Sequence, residues 1–330
     1  MAAHYIYGPY PFEPDETTGT VSGNTINITC KEGSKTETFT ATIGSGSGDI
    51  LNVNLGMGSI LPNGKALSFG NGFEGKIKSL FGLSGDMNTN VATGWMVDRV
   101  IDVLEQNPDS GYDPEKLAVS GCSGCGKGAF LVGVFSRIPM TVIVESGGGG
   151  AASLRQAEWF RHGDGKSTWQ CSDALPQSID NLENDGICGP WVTSVAAPLR
   201  SNPAKVYNLP FDQHLLLATI APRYLVHFTN ANGTNSWCHL GGTCEALSAW
   251  AAAPVWKALG VEDNMAFEMY SGGHCGVGDT GIAAAMFKRA FDGDTSGKTG
   301  GVKIMDNGVQ QPVSEWKSMW IDWDMDTVLK

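Results

Sequence analysis

The stretch Val119-Ser120-Gly121-Cys122-Ser123-Gly124-Cys125-Gly126-Lys127-Gly128 crowds hydroxyls, thiols, an amine and glycines into one turn between a buried apolar run and a helical one. Three chemistries compete for it. The first is a nucleophile elbow, whose general pattern is G-x-S-x-G on a tight strand-to-helix turn. Gly121-Cys122-Ser123 matches, although the second glycine comes one residue late, at position 126. Such a turn lifts the serine hydroxyl clear of the sheet, and the following helix start offers backbone N–H groups to an oxyanion. The second is a phosphate loop, since Gly121 to Lys127 fits G-x-x-x-x-G-K. The hydroxyl that should follow to bind magnesium is replaced by Gly128, while the next strand does end in an acid, Glu145. The third is a thiol pair, Cys122-Ser123-Gly124-Cys125, at a helix start that would lower a thiol pKa.

A nucleophilic serine needs a base, and the base needs an orienting carboxylate. Where a serine elbow is followed in the chain by the acid and then the histidine, the order is that of α/β-hydrolases. Of the six histidines, His274 stands out: Ser271-Gly272-Gly273-His274-Cys275-Gly276 follows a strand and lets an imidazole reach over the sheet edge. His227 sits mid-strand, as a core histidine would. His214 has its own aspartate in Asp212, but Asp212 reads as a helix N-cap. Glu145 ends the strand after the elbow and precedes Ser146 and a run of glycines, so it is the candidate acid. A buried structural carboxylate is the competing role for it.

Alternation of apolar and polar residues places a hairpin over 25–29 and 36–42, and further strands over 50–55 and 66–69. Helical spacing of Met96, Val97, Val100, Ile101, Val103 and Leu104 predicts a helix over 92–106. Beyond it, strands are predicted over 116–120, 141–145, 223–230 and 264–270. They alternate with helices over 127–137, 244–259 and 281–291, and Pro254 is expected to kink or interrupt the second of these. Residues 146–210 read as irregular loops around short helices. The alternation implies a three-layer αβα sandwich, with a mostly parallel central sheet and an antiparallel N-terminal edge. No repeat or linker divides the chain, so residues 1–330 are read as one domain.

The chain of 330 residues is 42% hydrophobic and only 17% charged, which excludes global disorder. Its net charge of −12 disfavours nucleic acid as a partner. No apolar run is long enough to span a membrane. The opening residues carry neither a basic nor an apolar leader segment, so no signal peptide is expected within this sequence. Eight cysteines in a chain of low charge lean towards an oxidising compartment. The sequons Asn27-Ile28-Thr29 and Asn232-Gly233-Thr234 fit secretion.

With Ser123, Glu145 and His274 placed, the chain resembles the glucuronoyl esterases of carbohydrate esterase family 15. Their V-x-G-C-S-R-x-G-K-G-A hallmark stands as Val119 to Ala129. Val97-Asp98-Arg99-Val100-Ile101-Asp102, Glu145-Ser146-Gly147, Phe211-Asp212-Gln213-His214, Ala221-Pro222-Arg223 and Gly273-His274-Cys275 echo further family segments in order. The resemblance implies an α/β-hydrolase fold and a serine esterase without cofactor or metal. It would be secreted and monomeric, acting on glucuronoxylan and lignin–carbohydrate esters. Ser123 would be the nucleophile, His274 the base and Glu145 its orienter. Gly124 would give its N–H to the oxyanion, and Lys127, Trp237, Gln177 and Glu183 would contact the sugar. It also implies a Cys122–Cys275 bridge. Cys171–Cys188 and Cys238–Cys244 are then expected to pair by proximity, with Cys30 and Cys125 unassigned. Two departures stand out. The family's Arg after the nucleophile is Gly124, which removes a charged oxyanion donor, and the family's cysteine before its W-R pair is Ser153. The first keeps open a non-catalytic or weakly active carbohydrate-binding relative. A general carboxylesterase and a nucleotide-binding loop complete the alternatives.

Overall fold

The computed structural model describes residues 1–55, 64–169, 171, 175–182, 186, 188–230, 238–277, 280–297, 299–303 and 313–321. Among the described residues a ten-stranded sheet gathers strands from Glu16 to Lys303. Strands β1 (Glu16–Ser22), β2 (Thr25–Glu32) and β3 (Lys35–Ile43) form an antiparallel wing. The predicted hairpin is its inner part. Period-2 alternation sets the faces: Ile26, Ile28, Cys30, Phe39, Ala41 and Ile43 are buried, while Asn27, Thr38, Thr40 and Thr42 are exposed. Strand β4 (Leu51–Asn54) lies beyond β5 (Lys65–Phe69) in the sheet, and β5 pairs antiparallel with β3.

From β5 onward the sheet is parallel, in the order β5, β4, β6 (Leu117–Cys122), β7 (Met140–Val144), β8 (Tyr224–Asn230), β9 (Met265–Tyr270) and β10 (Gly301–Lys303). Buried on both faces, β6, β7, β8 and β9 read as largely apolar runs rather than alternating ones. The register Gly121↔Ile143 and Cys122↔Val144 brings the carboxyl ends of β6 and β7 side by side. That edge of a parallel sheet is where α/β proteins place their sites.

Helix α1 (Phe73–Phe81) and the long α2 (Thr89–Gln106) pack against the wing side of the sheet. Asn88 caps α2 by accepting the N–H groups of Asn90 at 2.9 Å and Val91 at 3.3 Å. Helix α3 (Gly124–Val134) leaves β6 directly. After β7 come the short helices α4 (Leu154–Arg161), α5 (Ala197–Arg200) and α6 (Gln213–Ala218). Helix α7 (Gly242–Ala258) and α3 share one face of the sheet. Helix α8 (Thr280–Asp292) covers the other, against Val142, Val144, Val226 and Phe228; α9 (Val313–Trp320) follows β10. This is the expected three-layer α/β-hydrolase arrangement.

Two expectations are corrected. Helix α3 begins at Gly124 rather than Lys127, because the elbow is a single residue, Ser123, with φ 59°. Pro254 lies inside a helix that is not interrupted there. Strand β1, helix α1, the three-residue β10 and helix α9 lie outside the expected elements, although Phe73, Ile77, Leu80 and Phe81 give α1 a helical spacing.

Candidate functional site

The elbow has a steric explanation. A Cβ at Gly121 would meet the Cys125 carbonyl oxygen at 2.1 Å, and one at Gly126 would meet the Val144 carbonyl oxygen at 2.5 Å. Helix α3 crosses its own strand and the next one so closely that only glycine fits at either place. The late second glycine is therefore demanded by the approach to β7. Ser123 N–H donates to the Val144 carbonyl at 2.9 Å, and Ser123 itself is partly exposed. Gly124 opens α3, so its N–H is among those that a helix start leaves without an intrahelical acceptor.

Glu145 follows β7 with a left-handed φ of 46°, and its side chain reaches the loop that carries His274. Its Oε2 accepts the Cys275 N–H at 2.8 Å and pairs with His274 Nδ1. Its Oε1 is contacted at 3.2 Å by the Tyr270 hydroxyl. Glu145 is 2% exposed and the His274 side chain 17%, so the carboxylate is sealed while the imidazole reaches solvent. Cys122 and Cys275 form a disulfide, Cα to Cα 5.6 Å, joining the residue before Ser123 to the residue after His274. The two sulfurs, a Glu145 oxygen and a His274 nitrogen lie within 4.8 Å of one another. Asn230 Nδ2, at the end of β8, donates to the Gly272 carbonyl at 2.7 Å and pins the same loop.

Lys127 is 1% exposed, not a solvated surface lysine. Its ammonium donates to the Ser146 carbonyl and, at 2.9 Å, to Gln177 Oε1, and lies 4.6 Å from the centre of the Trp191 ring. Two of the predicted sugar contacts are thus neighbours beside the elbow. The other two, Trp237 and Glu183, fall outside the described residues.

Behind Ser146 lies a buried carboxylate that sequence reading passed over. Glu245, in the first turn of α7, accepts Ser146 Oγ–H at 2.5 Å, Gly147 N–H at 3.0 Å and His227 Nε2–H at 3.1 Å, and also the Thr229 hydroxyl. Burial pushes its carboxyl up, but the bonds from His227, Ser146 and Thr229 outweigh this and hold it below the usual carboxylate range. His227 is a core residue, as expected. Asp212 is a cap: it accepts the N–H groups of Gln213, Leu154 and Arg155 and the Ser153 hydroxyl, serving α6 and α4 together.

The expected pairing of the remaining cysteines is corrected. The bridges are Cys125–Cys188 and Cys171–Cys238, with Cα separations of 5.1 and 5.8 Å; Cys30 and Cys244 are free and buried. Nearness in sequence misled, because the loops after α4 fold back over the site. Asn90 Nδ2 holds the Cys188 carbonyl at 3.0 Å and sets that residue beside α3. Cys244 instead faces Ala152, Ala157 and Phe160. Burial raises its thiol well above the usual range and raises that of Cys30 to about 11. The Cys122/Cys125 redox pair is ruled out, since each sulfur is bonded elsewhere.

A serine on a strand–elbow–helix turn, with a histidine–carboxylate pair tied to it through the Cys122–Cys275 bridge at the carboxyl edge of a parallel sheet, is the arrangement found in α/β-hydrolases, a class that includes carboxylic ester hydrolases. The family described as glucuronyl esterase, fungi, matches residues 17–260. A 4-O-methyl-glucuronoyl methylesterase from Neurospora crassa is 34% identical over 292 residues, which cover 82% of this chain and 69% of that protein. The glucuronoyl esterase catalytic domain from Hypocrea jecorina superposes with a TM-score of 0.75 at 30% identity, covering 98% of this chain and 88% of that one. A serine-to-alanine mutant of the Sporotrichum thermophile glucuronoyl esterase, in complex with methyl 4-O-methyl-β-D-glucopyranuronate, gives 0.71 at 28% identity. That match covers 96% of this chain and 86% of that one. The chain belongs to the glucuronoyl esterase family.

Among the described residues no helix is long and apolar enough to cross a membrane.

Proposed function

We propose that the protein is a secreted esterase, one catalytic domain and a monomer. It would cleave the bond between (4-O-methyl)-D-glucuronic acid of glucuronoxylan and lignin alcohols. The observation that carries the reading is the Glu145 carboxylate, which engages His274 on a loop tied by Cys122–Cys275 to the residue preceding Ser123. Ser123 Oγ attacks the uronate carbonyl as His274 takes its proton; Glu145 holds the imidazole in orientation and balances the charge that forms. The oxyanion meets the Gly124 N–H and the start of α3. Return of the proton to the leaving alcohol frees it and leaves an acyl-enzyme. Water, activated by the same His274, then releases the uronic acid. Lys127 and Gln177 support the sugar assignment, since a buried cation and an amide beside the serine suit the hydroxyls of a uronic acid.

The test is hydrolysis of benzyl or methyl glucuronate esters by the wild type and by Ser123→Ala. The variant is expected to lose at least about a thousandfold in kcat; wild-type rates in Ser123→Ala would refute the mechanism. Comparing glucuronate with galacturonate and acetyl esters separates this reading from a general carboxylesterase, which would take simple acyl esters at least as well.

Gly124 favours a second reading, a carbohydrate-binding relative with little turnover, because a charged oxyanion donor is missing. Binding of xylan fragments without turnover of any uronate ester would establish it.

A further inference from the structure

The catalytic acid proposed above has two oxygens, and only one of them serves His274. Oε2 takes the imidazole and the Cys275 N–H. Among the described residues the hydrogen-bond donor to Oε1 is Tyr270, the last residue of β9. Its hydroxyl lies 3.2 Å from Glu145 Oε1 and 2.6 Å from the Gly276 carbonyl, so one proton is shared between the acid and the far end of the base loop. The loop wraps the ring closely: a Cβ at Gly272 or Gly276 would come within 3.2 Å of Tyr270 ring carbons. Residues 271–276 are therefore folded around this side chain, with His274 at their centre.

We propose that Tyr270 is a positioning residue for the ester hydrolysis, its phenol fixing the Glu145 carboxylate and the His274 loop in one register. The inference rests on the Ser123–His274–Glu145 reading. The titratable groups around the phenol are Glu145 from the end of β7, Glu245 from α7 and His274 from the loop it ties. Burial and then the Glu145 charge push the phenol far above its usual value, so it stays a donor throughout the working pH range. A carboxylate relieved of this donor swings more freely and carries more of its charge towards the imidazole. The imidazolium is then better stabilised, and the base is lost at a higher pH.

Tyr270→Phe removes the hydroxyl and keeps the ring. With a methyl glucuronate ester we expect kcat to fall about tenfold, as for loss of one hydrogen bond to a charged group, with KM within about twofold. The acid limb of kcat/KM should move to higher pH by about half a unit or more. A folded variant with kcat within twofold and an unmoved limb overturns the proposal. So does a variant that melts early yet keeps the wild-type limb in its residual activity, because a purely structural tyrosine behaves that way. Wild type and Ser123→Ala are run alongside. If the wild type is inactive, or Ser123→Ala remains active, the triad reading fails. An active wild type, an inert Ser123→Ala and an unaffected Tyr270→Phe refute Tyr270 alone.

Discussion

Cys122 and Cys275 are bonded across 153 positions of sequence, and each is the chain neighbour of a proposed catalytic side chain, Ser123 or His274. The bridge limits how far the elbow and the base loop can separate. It also closes a very long loop in the unfolded chain, for which the entropic account gives about 4–5 kcal/mol. The Cys122→Ala/Cys275→Ala double variant is expected to melt about 6 °C lower, since an unfolding entropy of about 2.1 cal/mol/K per residue makes each kcal/mol worth about 1.4 °C in a chain of this length. Well below that midpoint, kcat should still fall at least about tenfold, because loosened geometry costs rate without unfolding. Calorimetry and initial rates at 20 °C check the two halves separately; an unchanged kcat in the folded variant would show that the bridge acts on stability alone.

Lys127 is the second point at which a single side chain decides between readings. Its ammonium is buried against Ser146, Gln177 and the Trp191 ring. Lys127→Met keeps the stem and removes the charge. If the ammonium meets a sugar hydroxyl, KM for a glucuronate ester should rise about tenfold or more, the worth of a charge-assisted hydrogen bond, while kcat changes less. Michaelis curves read this directly. A KM unchanged in a folded variant would confine Lys127 to holding Ser146 and Gln177.

How these features could be read in the sequence differs from residue to residue. Glycine spacing exposed the elbow because the close approach of α3 to β7 leaves no choice at 121 or 126. Buried runs of Val and Ile marked β6, β7 and β8, and strand ends marked Glu145 and His274. Glu245 escaped notice because an acid in the first turn of a helix is ordinary, complementing the helix dipole, and nothing local says that it is 0% exposed. Tyr270 escaped because an aromatic at the end of a strand reads as core. The cysteine partners of 125, 171, 188 and 238 depend on how long irregular loops fold back, and no period in the chain encodes that.

Gly124 makes a prediction about rate. One preorganised oxyanion donor is worth about a hundredfold to a thousandfold in kcat. An arginine restored at 124 without the accompanying adjustments should recover part of this, about tenfold in kcat on a glucuronate ester. Gly124 is buried at the start of α3, next in the chain to Cys125, which is bonded to Cys188. Failure to gain rate in a stable Gly124→Arg variant would mean that the backbone N–H groups already satisfy the oxyanion.

Glu245 makes a prediction about pH. Its folded carboxyl lies below the ordinary value of 4.5, so the ionised form is the one the fold stabilises. The resulting stability is fully present above that ordinary value and is lost as pH falls through the folded one. Glu245→Gln keeps the shape but presents an amide N–H to at least one donor among Ser146, Gly147, His227 and Thr229. Breaking up a buried charged network of this kind costs on the order of 3 kcal/mol at neutral pH. Urea unfolding at pH 7 and at pH 4 should therefore show a gap between wild type and variant that is wide at pH 7 and begins to close at pH 4. A gap wider at pH 4 than at pH 7 would mean that Glu245 is already neutral in the folded protein, because only the unfolded chain would then release its proton as pH rises. In that case its hold on Ser146, and through Ser146 on Lys127, is that of a neutral hydrogen-bonding group.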